Sequence, residues 1–325
     1  MFILDLCVMR IYWTIFAGLL GLAFGSFLNV CLSRWPEGES VVKPRSRCRA
    51  CGRTLTWWEN VPVVSWLALR GRCRTCGAWI GVRYVVVELA VGTLWAAIAW
   101  KIGDRHLGLS DPAVFSMMQN EISKDFFKGL YDAYRLYSLV AGDLSVEIIG
   151  QMLFCWWMVG LAALDIEHLW LPDKITLPGI AAGYVFTIGR FELLKLRELL
   201  DDRAAPVGHM ALHRLVDILI AAAFVLLIRW LYWLVRRKEG LGLGDAKLMA
   251  MLAAWFGLSG ALLAFFIGVV LGAMLAVTML VMPKRDGEAW SARKLPLGAF
   301  LCAGGIVCSL WGQQILFAYL RWARF

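Results

Sequence analysis

Apolar positions along this chain run in long uninterrupted blocks, with neither the period-two alternation of strands nor the narrow stripe of surface helices. Segments near 11–33, 84–102, 145–166, 215–235, 259–282 and 297–320 are each roughly 20 residues long with few charges, enough to cross about 30 Å of hydrocarbon as helix. Two shorter runs, near 175–190 and 247–258, can cross where neighbouring helices shield them. The pattern predicts an all-α polytopic membrane protein of about eight transmembrane helices. The first block lacks a small-residue cleavage site and a short apolar region, so it reads as an anchor, not a removable signal peptide.

The segments between the blocks divide the chain. Residues 1–34 form the first span, 35–83 a polar loop, and 84–325 a transmembrane core with outer insertions at 103–144 and 191–214. The first insertion mixes Phe115, Phe126, Phe127, Tyr131, Tyr134 and Tyr137 with acids and lysines, and the second opens on Glu192-Leu193-Leu194-Lys195-Leu196-Arg197. Both predict amphipathic helices on the outer face. Neither carries recognisable chemistry.

Composition agrees with the pattern: 60% of the residues are hydrophobic and 17 are tryptophan, more than one water-bounded core can hold. The net charge of +9 raises nucleic acid as a partner, but its distribution argues against that. Arg34, Lys43, Arg45, Arg47, Arg49, Arg53, Arg70, Arg72, Arg74 and Arg83 gather in one loop, opposed only by Glu37, Glu39 and Glu59. Cationic loops stay in the cytoplasm. Arg236-Arg237-Lys238, Lys284-Arg285 and Arg293-Lys294 fall on the same side when about eight spans are threaded in order. The expected partner is therefore a lipid bilayer, with the cysteine-bearing loop inside and both termini outside.

That loop is too small to fold on its core alone and needs a staple. Cys48-Arg-Ala-Cys51 and Cys73-Arg-Thr-Cys76 supply one: two C-x-x-C knuckles, 21 residues apart, each followed by a glycine (Gly52, Gly77). Such turns aim paired thiolates at one tetrahedral ion, which predicts a structural zinc on Cys48, Cys51, Cys73 and Cys76. A reducing compartment disfavours disulfides, and a redox pair needs no duplicate. The flanking arginines are expected to favour the thiolate form. With four protein ligands the metal has no open position for catalysis. Cys7, Cys31, Cys155, Cys302 and Cys308 lie in or beside spans and read as core fillers.

Two acids stand out. Asp165 ends an apolar stretch, Gly160-Leu-Ala-Ala-Leu-Asp165, and an ionisable group at that depth is a functional candidate by default. Asp245 follows Gly240-Leu-Gly242-Leu-Gly244, whose glycines suit unusual backbone angles and the close approach of another chain. Threading places both acids at the cytoplasmic edge at similar depth. Two adjacent carboxylates share a proton, one acting as base and the other as acid, which suits hydrolysis of a peptide bond. Lys247 stands within a turn of Asp245, where it either tunes that carboxylate or meets lipid phosphate. Asp173 is expected to cap the following helix.

Together these residues resemble the bacterial type IV prepilin peptidases, also called prepilin leader peptidase/N-methyltransferases. The matching stretches are Phe24-Gly-Ser-Phe-Leu-Asn-Val-Cys31, the cysteine quartet, Asn60-Val-Pro-Val-Val-Ser-Trp66, Arg83-Tyr84 with Glu88, Asp165 with Leu171-Pro172-Asp173, Gly242-Leu-Gly-Asp-Ala-Lys247, and Leu295-Pro-Leu-Gly-Ala-Phe-Leu301. The resemblance implies an aspartyl dyad of Asp165 and Asp245 supported by Gly242, Gly244 and Lys247. It implies prepilins or type II secretion pseudopilins as substrates, cut at the cytoplasmic side of the bacterial inner membrane, and N-methylation of the new terminus with S-adenosylmethionine. No Rossmann-type glycine turn marks a methyl-donor site. Val85 and Ala299 depart from the prolines common in that family, at positions expected to lie outside the dyad. A G-x-G-D protease with other substrates and a zinc-stapled transporter or scaffold are the rival readings.

Overall fold

The structure, a computed structural model, describes residues 2–107, 126–198, 206–238, 242–281 and 296–323. It contains α1 (Phe2–Arg34), a 3₁₀ turn at Trp58–Asn60, α2 (Val64–Ala68), α3 (Arg83–Leu107), α4 (Phe126–His168), α5 (Asp173–Glu198), α6 (Val207–Arg236), α7 (Leu243–Val281) and α8 (Leu297–Trp322). No strand occurs among the described residues, only isolated bridges between Arg47 and Thr54 and between Arg72 and Trp79. Six helices contain segments long and apolar enough to cross a membrane: Arg10–Arg34, Arg83–Ile102, Val146–His168, Val207–Arg236, Leu243–Met279 and Leu297–Trp322. The two shorter expected spans are helical as well, one within α5 and one as the first part of α7. The protein is a multi-pass membrane protein of α-helices.

The outer insertions do not form separate elements where they are described. Residues 108–125 and 199–205 lie outside the described residues; on either side, α4 and α6 begin before their apolar blocks and α5 continues past its own. A helix that has already formed its backbone hydrogen bonds in lipid extends into water at little cost, since each added residue adds one bond.

The chain divides into two compact units, residues 1–159 and 160–325, with α4 running through the boundary. In the first, α1 lies against α3 through small residues, the usual way for helices to approach closely in lipid. A Cβ at Gly21 would lie 2.9 Å from both Gly92 Cα and Val91 O. These obstacles are backbone and cannot turn aside. Gly21→Leu is therefore expected to destabilise the α1–α3 pair by about 1–3 kcal/mol or more, read as earlier loss of the monodisperse peak after heating in detergent. Trp95 and Trp156 lock the N-terminal part of the α4 span onto this pair, their indole N–H groups donating to Met152 O and Phe24 O, both at 3.0 Å.

In the second unit α7 is central, packing against α5, α6 and α8. It is broken at Gly257, whose φ of +75° and ψ of 179° end one helical stretch and start another. At the break the Arg214 guanidinium of α6 donates to Ala253 O at 3.3 Å, and the Thr187 hydroxyl of α5 donates to Ala254 O at 3.0 Å. Lipid offers no substitute donor, so the arginine makes the break tolerable. This explains why the 247–258 run is too short to span alone: it is the first half of a broken helix.

Candidate active site and metal-binding cluster

In the first unit, the loop between α1 and α3 is built from two equivalent knuckles. Cys48 N–H donates to Arg53 O at 2.9 Å and Gly52 N–H to Cys48 O at 2.9 Å; Cys73 N–H donates to Ala78 O at 2.8 Å and Gly77 N–H to Cys73 O at 2.9 Å. Gly52 and Gly77 hold φ of +70° and +67°, which explains the glycine after each C-x-x-C. The sulfurs of Cys48, Cys51, Cys73 and Cys76 all lie within 4.8 Å of one another, with 3.8 Å between Cys48 and Cys76. Four sulfurs at about 2.3 Å from one tetrahedral ion stand about 3.8 Å apart, so the cluster can hold a single metal ion as it is.

The backbone N–H groups of Cys76 and Thr75 pull the Cys73 thiol down to about 6. Peptide donors head that effect where the sequence had suggested the arginines. Arg53 pairs with Glu59 at 2.5 Å while also reaching Cys73, and Glu59 accepts from Thr56 N–H and hydroxyl, both at 2.8 Å. That shell, Arg53 first, holds Glu59 down to about 2. The loop is thus braced by one buried carboxylate beside the cysteines.

In the second unit, Asp165 lies in the last turn of α4, which runs on to His168, and Asp245 in the first turn of α7. Both are buried, at 6% and 8% exposure, about eighty residues apart in sequence. They lie near enough to interact electrostatically, and Cys302 of α8 feels both. Each carboxylate is aimed by a peptide donor. Ala299 N–H donates to Asp165 Oδ2 at 2.8 Å, and Gly242 N–H to Asp245 Oδ2 at 3.1 Å. Leu171 joins the two sides: a Cβ on Gly244 would lie 2.9 Å from Leu171 Cβ, and one on Gly298 3.0 Å from Leu171 Cδ1 and 2.9 Å from Asp165 Oδ2. Gly244 and Gly298 thus let α7 and α8 close on one leucine, bringing both acids to a common site.

Several expectations change here. Lys247 does not turn to Asp245; its ammonium pairs with Asp173. Asp173 forms the first turn of α5 and is engaged by that lysine, so the pair ties α5 to α7 beside the site. His168 and Glu167 face each other at 3.8 Å, both partly exposed. Ala299 lies against Asp165 through its N–H. Because proline has no N–H, the alanine at this position is what provides Asp165 with its donor. Gly298, Ala299 and Leu171 carry no chemistry in their side chains, so only their place in matching stretches could have signalled them.

Residues 19–102 match the bacterial peptidase A24 N-terminal domain, and residues 152–277 match the type IV leader peptidase family. The chain is 33% identical over 330 residues to the prepilin leader peptidase/N-methyltransferase of Stutzerimonas stutzeri, covering 94% of this chain and 93% of that protein. It is 32% identical to the protein of the same name in Pseudomonas aeruginosa, with 94% and 93% covered. It is also 34% identical over 282 residues to that of Myxococcus xanthus, with 85% of this chain and 65% of that protein covered. No solved structure matches the chain.

Proposed function

The chain belongs to the type IV leader peptidase family, and from that premise we propose that it removes the leader of type IV prepilins or type II secretion pseudopilins with Asp165 and Asp245 as the hydrolytic pair. The observation that carries this reading is the convergence of two buried carboxylates, distant in sequence, on one site closed by Leu171, Gly244 and Gly298. One carboxylate takes a proton from water as it attacks the scissile carbonyl; the other, protonated, gives its proton to the departing amine. The N–H groups of Ala299 and Gly242 orient the two oxygens for this exchange. Gly242 supports the site through its N–H on Asp245, Gly244 by admitting the Leu171 side chain, and Lys247 at one remove by tying Asp173 to α7.

Cys48, Cys51, Cys73 and Cys76 hold zinc in a structural role, supported by the tetrahedral spacing of their sulfurs. The concentration of arginines in the same loop favours a cytoplasmic position for it, and with it the cytoplasmic face of a bacterial inner membrane. The relatives' shared name includes N-methyltransferase, and this chain methylates the amine freed by cleavage, S-adenosylmethionine supplying the methyl group.

Co-expression with a prepilin tests both activities. A mass loss equal to the leader is expected, followed by a gain of one methyl at the new N-terminus. Full-length prepilin persisting beside normal membrane levels of the protein overturns the peptidase reading. A cleaved but unmethylated pilin overturns only the second activity.

A further inference from the structure

A second buried polar cluster lies in the first unit, built from residues that belong to neither group described above. Asn29 of α1 is 2% exposed and Glu88 of α3 is 6% exposed. The Asn29 Nδ2 donates to Tyr84 O at 2.8 Å, and the Ser26 and Asn29 side chains hydrogen bond to the Glu88 carboxylate. Glu88 Oε2 in turn accepts from Val63 N–H at 2.7 Å. Val63 holds a φ of +61°, a costly conformation for a β-branched residue, maintained at the loop that covers the cluster. An acid held within a spanning segment is a functional candidate by default.

The amide orientation of Asn29 is fixed by its neighbours. Both Tyr84 O and the Glu88 carboxylate accept, so the nitrogen must face them and the oxygen must face away. Among the described residues no protein donor reaches the buried Asn29 Oδ1. A buried acceptor left without a donor costs about 1–3 kcal/mol. The cluster thus gathers an amide oxygen, a peptide carbonyl and a carboxylate, rich in acceptors and carrying negative charge. Its chemical complement is a cation with several N–H donors.

We propose that Asn29, Glu88 and Ser26 form a binding site for an α-ammonium group, the Asn29 Oδ1 and the Glu88 carboxylate accepting its hydrogens. Two ligands of an N-methylating leader peptidase carry that group: the amino-acid end of S-adenosylmethionine, and the N-terminus exposed by cleavage. The methyltransferase reading supplies only the identity of these candidates. Ammonium binding is measured without methyl transfer, so the failure of either is distinguishable from the failure of the other.

The test uses the full chain with its metal in detergent and isothermal titration calorimetry. S-adenosylhomocysteine is compared with its deaminated analogue, and a hydrophobic decapeptide with a free N-terminus with its N-acetylated form. In one of these pairs the wild type is expected to prefer the amine about tenfold or more, as a charge-assisted contact implies. Glu88→Gln keeps an oxygen for Val63 N–H and removes the charge; it is expected to erase that preference. Loss confined to the homocysteine pair assigns the methyl donor, and loss confined to the peptide pair assigns the methyl acceptor. Ser26→Ala, which leaves the Val63 contact untouched, is expected to reduce the same preference by a smaller factor, about threefold. Metal content and elution profile report folding for both variants. An amine preference absent from the wild type, or unchanged in both variants, overturns the proposal.

Discussion

Asp245→Asn is expected to slow leader removal by about 10²–10⁴-fold, with Asp165→Asn falling in the same range and the protein remaining at normal level in the membrane. The reasoning begins with what asparagine preserves. Asp165 receives the Ala299 N–H and Asp245 the Gly242 N–H, both through one carboxylate oxygen, and an asparagine oxygen accepts either bond as well. Volume is nearly unchanged in a site where Leu171, Gly244 and Gly298 leave no slack. What is removed is the ability to take or give a proton. The pair predicts a further signature. Residues that act as one unit lose their function together, so the double variant should be little worse than either single one. Two independent charges would instead give multiplied losses. Quantitative mass spectrometry of processed and unprocessed prepilin measures all four proteins, and an active single variant would remove that residue from the mechanism.

Much of this site was legible in the sequence, for physical reasons that can be named. Asp165 was conspicuous because an acid at the end of an apolar run is expensive, and Asp245 because glycines before a helix are poor helix formers placed there for their backbone freedom. The cysteine knuckles were legible because metal coordination imposes a spacing on the chain, and the structure adds the reason for each following glycine in its positive φ. Other parts left no local mark. The donor to Asp165 comes from the peptide of Ala299, 134 positions away, and a peptide N–H carries no residue signature. The partner of Lys247 is likewise remote in sequence, so proximity along the chain left Asp245 and lipid phosphate as its candidates and Asp173 out of view. The break in α7 showed in the sequence only as the border between two apolar runs, because Gly257 looks like any other glycine until its backbone angles are seen. Asn29 and Glu88 were noticed only as letters in matching stretches; their chemistry depends on α1 and α3 meeting at small residues.

Withdrawal of the metal is expected to collapse the loop between α1 and α3 while leaving the helices that flank it. Apart from Trp66, whose indole donates to Ile80 O at 3.0 Å and whose ring meets Trp79 edge-on at 5.9 Å, the loop has little apolar packing of its own. Trp57, Val64, Leu67 and Trp79 are exposed, and among its cysteines only Cys73 is buried. Folding of so small a module would draw on the zinc proposed for its four cysteines, since such binding contributes about 10–16 kcal/mol in zinc-finger peptides of comparable ligand sets. The anchors Arg34, donating to Ser40 O and Pro44 O at 2.8 Å each, and Glu59 with Arg53 cannot match that. Incubation with a strong chelator, or Cys73→Ser, should therefore expose residues 35–83 to limited proteolysis, with cuts mapped by mass spectrometry, while far-ultraviolet circular dichroism changes little because nearly all helix lies elsewhere. Atomic absorption should find one zinc per chain before treatment and markedly less after. A loop that stays protease-resistant once the metal is gone would show that hydrogen bonding alone organises it, and the four cysteines would then need another explanation.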